Sequence, residues 1–194
     1  MSIVGFAVAG GRSQRMGRDK ALLPWGETDL LGHTLCRLRV VAEEVCILAG
    51  PRARYGDRGV PVCVDPVPDA GPLAGVRAGL ERARGRPGLF LGIDLPLVPP
   101  ALLARLAELA AGFDAVVPVS PRGPQPLCAL YGPACLGPVR RCLAGSDRSM
   151  TAFWPDIRVR EVEPVELAAF GDPAMLFFNV NGPEDYDRAR ASVV

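Results

Sequence analysis

Apolar residues gather in short runs at residues 3–8, 45–48, 60–64, 89–93, 115–119 and 127–131, each the length of a strand. Between several of them lie longer segments, 31–41, 73–84 and 100–111, where apolar positions return every three or four residues, the period of a helix with one buried side. Such alternation builds a mostly parallel sheet covered by helices on both faces. The pattern predicts an α/β, Rossmann-like single domain spanning residues 1–194. After Tyr131 the alternation loosens into a helix at 133–143, a turn at 145–148, a strand near 158–162, a further strand at 175–178 and a closing helix from Pro183. This stretch reads as an elaboration on the sheet edge. The strand-to-helix junctions fall at 9–20, 49–52, 65–73 and 94–100, and in an open parallel sheet these carboxyl ends line one rim, where ligands bind.

The first junction carries the densest chemistry: Val8-Ala9-Gly10-Gly11-Arg12-Ser13-Gln14-Arg15-Met16-Gly17-Arg18-Asp19-Lys20. Paired glycines let backbone N–H groups approach an anion, and three arginines with one lysine can neutralise a polyphosphate. A nucleoside triphosphate is the expected ligand. The segment contains neither the Walker spacing nor G-x-G-x-x-G, so it is not one of the commoner nucleotide loops. Taken alone, a Gly-rich turn with solvated charges is the plainer alternative.

With 194 residues, the chain is long enough to bury roughly 70% of its unfolded surface in one core. A net charge of +1 offers no broad basic surface for nucleic acid, and positive charge is concentrated in the first loop. The six cysteines form no C-x-x-C pair and have a single histidine for company, which argues against zinc and against a redox motif. No run of about 20 apolar residues exists to span a bilayer, and residues 1–11 lack a basic leader, so a cytoplasmic protein without a membrane partner is expected.

Asp94 ends the apolar run 89–93 and precedes Leu95-Pro96, which places a carboxylate at a strand tip beside the first loop. Mg²⁺ takes one or two carboxylates together with phosphate oxygens and water, and Asp94 suits that role; a helix N-cap is the alternative. Residues 65–75 begin at another strand end and open a helix near Leu73. There Gly71 and Gly75 leave room for a base or ribose and Asp65 can accept from a hydroxyl or base N–H, unless the segment is simply a rigid turn. Asn179 and Asn181, two residues apart, are expected on one side of a strand end, where one amide meets metal or phosphate and the other a second substrate. Asn181 before Pro183 also reads as an N-cap. Gln125, ahead of the strand at 128–131, is read as bordering the acceptor pocket or as part of a plain loop, and His33 is expected to be structural.

Taken in order, Ala-Gly-Gly…Arg-Met-Gly…Asp-Lys at 9–20, Gly-Pro-Leu-Ala-Gly at 71–75, Asp-Leu-Pro at 94–96 and Asn-Val-Asn-Gly-Pro-Glu-Asp at 179–185 resemble the molybdenum cofactor guanylyltransferases, MobA-type members of the glycosyltransferase-A-like nucleotidyltransferases. Gln-Pro-Leu-Cys-Ala-Leu-Tyr at 125–131 and Gly-Ser-Asp-Arg-Ser at 145–149 extend the likeness over essentially the whole chain. The resemblance implies transfer of GMP from GTP to the phosphate of molybdenum-bound molybdopterin with release of pyrophosphate. It implies nucleotide contacts from Val8, Ala9, Gly10, Gly11, Lys20, Asp65, Gly71, Gly75 and Asp94, and catalytic roles for Arg15, Lys20 and Asp94. Gly17 matches a further position important for transfer. Mg²⁺ is expected on Asp94 and the pterin near Asn179 and Asn181, with molybdoenzymes and their chaperones as further partners. The chain departs from the family at Ala49, where members often carry Asn, and at Ile93, where Cys is common.

Two other readings fit the same residues. One is a cytidylyltransferase for the same cofactor, or another small-molecule nucleotidyltransferase. The other is a non-catalytic nucleotide or molybdenum-cofactor carrier, which has no need of both Lys20 and Asp94.

Overall fold

The computed structural model describes residues 2–10, 19–64 and 71–192. An eight-stranded sheet forms its centre. In chain order the elements are β1 (Val4–Val8), a two-stranded hairpin of β2 (Pro24–Trp25) and β3 (Thr28–Asp29), α1 (Leu30–Arg39), β4 (Glu44–Leu48), β5 (Val62–Cys63), α2 (Gly71–Ala83) and β6 (Gly88–Gly92). They are followed by α3 (Pro100–Glu108), β7 (Ala115–Ser120), β8 (Gly123–Pro124), β9 (Cys128–Tyr131), α4 (Leu136–Ala144), β10 (Val159–Val162), α5 (Pro164–Leu167), α6 (Pro173–Leu176) and α7 (Pro183–Ala191).

The main sheet runs β10-β7-β9-β6-β1-β4-β5, with β8 pairing β7. The pairs β1–β4, β1–β6, β4–β5 and β7–β10 are parallel, while β9 runs antiparallel to both β6 and β7. Alternation along each strand feeds two cores. Ala7, Ile47, Leu89 and Leu91 pack with Leu31, Leu35 and Leu38 of α1 and Leu102 and Leu106 of α3. Val4, Phe6, Cys46, Leu48 and Phe90 point the other way, against Leu73, Val76 and Leu80 of α2 and Val139 of α4. Phe6 stacks on Phe90 at 4.9 Å, and Tyr131 meets the edge of Phe90 at 5.6 Å, so aromatic contact runs across β1, β6 and β9. The mostly parallel sheet with helices on both faces is as the periodicity predicts.

Strand order reverses at β1: β4 lies on one side and β6 on the other. The crevice beyond the carboxyl ends of β1 and β6 is the position where open α/β sheets bind ligands. Several elements differ from expectation. The run at 60–64 pairs only over Val62–Cys63, and the helix expected at 133–143 begins with a tight turn at Pro133–Cys135 before α4.

The strand expected at 175–178 is instead α6 and its exit. Asp172 caps the helix by accepting from the Ala174 N–H at 2.9 Å, Pro173 occupies the first helical position, and Leu176 is buried from a helical turn. A short apolar run fits either period, and the Asp-Pro start decides for helix. In consequence Asn179 and Asn181 lie on irregular chain after α6, and the shared strand face expected for them does not form.

The β2–β3 hairpin and α7 meet in a third, smaller core of Leu23, Trp25, Leu30, Phe178, Val180, Tyr186 and Ala189. This core holds Phe178 and Val180 beside the β2–β3 hairpin. No described helix is long and apolar enough to cross a membrane.

Candidate active site

At the end of β1 the parallel ladder continues past the strand. The Ala9 N–H donates to Leu48 O at 2.9 Å, and the Ile93 N–H to Val8 O at 3.2 Å. The chain leaves β1 through Gly10, which lies against Gly50 in the turn after β4. A β-carbon on Gly10 would fall 2.9 Å from Gly50 N and 3.0 Å from Gly50 Cα, and Gly50 itself adopts φ +73°. Backbone meets backbone here, so neither side can give by rotating a side chain. Gly10→Ala is therefore expected to part the two turns, raising the KM for nucleotide ~10-fold or more by misplacing the loop's donors. Saturation kinetics of pyrophosphate release check this, and an unchanged KM would contradict it.

Asp19 receives a convergence that its sequence neighbours do not disclose. Its carboxylate accepts from the Ala21 N–H at 3.1 Å, capping the short turn Lys20–Leu22, and from Tyr55 Oη at 2.8 Å and Arg54 Nη1 at 3.2 Å. Arg54 Nη2 reaches Ala9 O at 3.4 Å and Ala49 O at 3.3 Å, which joins the exits of β1 and β4. Tyr55 holds φ +66°, unusual for a side chain of its size. Burial and its bond to Asp19 push its phenol well above the ordinary tyrosine range, so it remains a donor. Neither Arg54 nor Tyr55 stood out in the sequence; the signal available was the short junction after β4, which had to face the first loop.

Lys20 begins the turn that Asp19 caps. Its Nζ donates to Val180 O at 2.9 Å and lies 3.8 Å from Asp94 Oδ2. The Val180 N–H in turn donates to Asp94 O at 2.9 Å. One residue, Val180, thus ties the lysine and the aspartate to the Asn-Val-Asn segment through its two backbone groups. The Lys20 and Asp94 side chains are 15% and 26% exposed, dry enough to strengthen their field and open enough to receive a ligand.

Asp94 lies just beyond β6 on an irregular turn, and the helix that follows is capped by Pro99, so the N-cap alternative for Asp94 does not hold. The carboxylate folds back over Gly92: a β-carbon there would stand 2.4 Å from Asp94 Oδ1. Among the described residues no cluster of three or more His, Cys, Asp and Glu side chains forms a metal cage. One partly exposed carboxylate at a strand tip is the donor set of a hard divalent ion that completes its shell with phosphate oxygens and water. Asp94 is compatible with a divalent metal held in that form.

Of the remaining expected site residues, Gly71 opens α2 with φ +70°, and among the described residues nothing lies within 4 Å of where its β-carbon would be, while Gly75 has Leu48 Cδ1 at 3.9 Å from that position. Asn179 is half-buried, with Nδ2 donating to Phe177 O at 3.4 Å, and Asn181 is exposed. The cap of α7 is Gly182, with Asp185 accepting from the Asn181 and Gly182 N–H groups, so the Asn181 side chain is not used as an N-cap. Gln125 is absorbed in the β7–β8 hairpin by bonds to Ser120 Oγ and Gly123 O. Gly11, Arg15, Gly17 and Asp65 lie outside the described residues.

Residues 5–158 match the family described as the MobA-like NTP transferase domain, which makes the protein a nucleotidyltransferase. A protein of Pelotomaculum thermopropionicum named "Probable molybdenum cofactor guanylyltransferase" is 34% identical over 98% of this chain and 93% of its own length. The molybdenum cofactor guanylyltransferase of Cupriavidus necator is 37% identical over 88% of this chain and 90% of its own. The chain belongs to this MobA-like family of molybdenum cofactor guanylyltransferases. Its fold is shared with the molybdopterin-guanine dinucleotide biosynthesis protein A of Archaeoglobus fulgidus, with a TM-score of 0.80 over 98% of both chains at 23% identity.

Proposed function

We propose that the enzyme transfers GMP from GTP to the terminal phosphate of molybdenum-bound molybdopterin, releasing pyrophosphate. The observation that carries this reading is the junction of Lys20, Val180 and Asp94 at the strand-order reversal, where a cation and a carboxylate lie 3.8 Å apart. The names of the relatives support guanine and the pterin.

A phosphate oxygen of the pterin attacks the α-phosphorus of GTP, a new P–O bond forms, and the bond to the β-phosphate breaks with its electrons leaving on pyrophosphate. The attacking phosphate is already an anion, so no strong general base is needed. Catalysis is then alignment and charge neutralisation. Lys20, with Arg15 from the first loop, faces the negative charge that develops on the α-phosphate and leaving group. Asp94 would hold Mg²⁺, which when bound supplies further positive charge to the phosphates. The backbone of residues 8–11, with Gly71, Gly75 and Asp65, would seat the nucleotide, while Asn179 and Asn181 would face the pterin.

Pyrophosphate release is expected to require the acceptor. With GTP and Mg²⁺, it should begin on addition of molybdenum-loaded molybdopterin, and the product's mass should exceed the acceptor's by one GMP, as mass spectrometry would show. Tight GTP binding without pyrophosphate, acceptor present, would instead favour a carrier.

A further inference from the structure

Arg37 is the one charged residue of α1 that points inward: it is 6% exposed, and no carboxylate pairs with it among the described residues. Its Nη1 donates to three backbone carbonyls of one turn, Leu95 O at 3.1 Å, Pro96 O at 3.0 Å and Val98 O at 2.6 Å. Its Nε and Nη2 have no hydrogen-bond partner among the described residues. One turn earlier on the same face, His33 Nε2 lies 3.1 Å from Pro96 O and, a carbonyl being only an acceptor, must carry the proton. Burial, with Arg37 nearby, lowers the pKa of His33, so this imidazole is neutral at pH 7. Burial also lowers Arg37 to about 10, which still leaves it charged.

Keeping an unpaired guanidinium in the interior is costly, and a neutral donor would suffice if the carbonyls only needed partners. The turn it grips is the one that begins immediately after Asp94. From the opposite side Asp94 is held through its own carbonyl by the Val180 N–H. We infer that Arg37 is a positioning residue, clamping residues 95–98 so that the Asp94 carboxylate is presented to the metal-bound triphosphate at a fixed place. This rests on the proposed metal-holding role of Asp94.

The test uses the full chain as wild type, Arg37→Met, Arg37→Lys and Asp94→Asn. Mn²⁺ affinity in the presence of GTP is read by electron paramagnetic resonance, and amide hydrogen exchange over residues 93–98 by mass spectrometry. Arg37→Met is expected to weaken Mn²⁺ binding ~10-fold or more and to speed exchange in this segment, as loss of an outer-shell partner does. Arg37→Lys, whose ammonium can offer three donors to the same carbonyls, should recover most of both. Wild-type Mn²⁺ affinity and exchange in Arg37→Met, with only a lower melting temperature, would reduce Arg37 to a packing role and overturn the inference while leaving the function standing. Should Arg37→Met fail to fold, Arg37→Gln takes its place: its shorter side chain with fewer donors predicts weaker Mn²⁺ binding and faster exchange over residues 93–98, and wild-type affinity with wild-type exchange overturns the inference. If wild type and Asp94→Asn bind Mn²⁺ equally, the metal-holding reading of Asp94 fails first and the clamp falls with it.

Discussion

Replacing Lys20 or Asp94 by alanine is expected to lower the rate of transfer ~10²-fold or more in a protein that still folds, the scale on which single preorganised electrostatic contacts act. Both side chains are partly exposed and neither fills a core, so their truncation removes charge without opening a cavity. Lys20→Ala also frees Val180 O, and the loss of one such hydrogen bond to a charged group costs about 2 kcal/mol. Steady-state pyrophosphate release and thermal melting, measured together, separate the two effects. Turnover at the wild-type rate in either variant would remove Lys20 and Asp94 from the mechanism, and a carrier would tolerate Asp94→Asn without change in nucleotide binding.

Gly92→Ala should reproduce part of that loss without touching a charged residue. The added β-carbon would stand 2.4 Å from Asp94 Oδ1 and 3.6 Å from its Cγ, while Leu127 Cβ is 3.8 Å away. The carboxylate is the end of a rotatable side chain, so it turns aside while the strand stays paired. Transfer should fall ~10-fold or more through this misplacement, with the melting temperature nearly unchanged. Excess divalent metal should restore part of the rate, which it cannot do for Asp94→Ala. A rate and metal dependence like wild type would show that the orientation seen over Gly92 has no bearing on catalysis.

Much of this arrangement was legible because it follows from period and position. The runs at 3–8, 45–48 and 89–93 became β1, β4 and β6, and the reversal of strand order at β1 brought the ends of two junctions together as Lys20 and Asp94. What stayed hidden depends on contacts distant in sequence. Asp19 is held by Arg54 and Tyr55, some 35 residues away, and Lys20 bonds to Val180 across 160. No local pattern reports such pairs. Arg37 was concealed for a different reason: on an amphipathic helix a charged residue is ordinarily solvated, and only the three carbonyls of residues 95–98 explain its burial. At 175–178 four apolar residues fit a strand and a helical turn equally well, and the Asp172-Pro173 start is what decides for the helix. Asn179 and Asn181 flank Val180, whose N–H is bonded to Asp94 O.

Ala49, just past the end of β4, is buried and apolar, so it offers only its backbone to a ligand. Arg54 already uses its carbonyl. The most direct test of guanylyl transfer is Mg²⁺-dependent pyrophosphate release with molybdenum-loaded molybdopterin, comparing GTP, CTP and ATP at equal concentration. Release with GTP alone is the predicted result; preference for CTP would contradict the guanylyltransferase assignment while keeping the reaction class, and silence with all three in a protein that binds nucleotide would contradict catalysis itself.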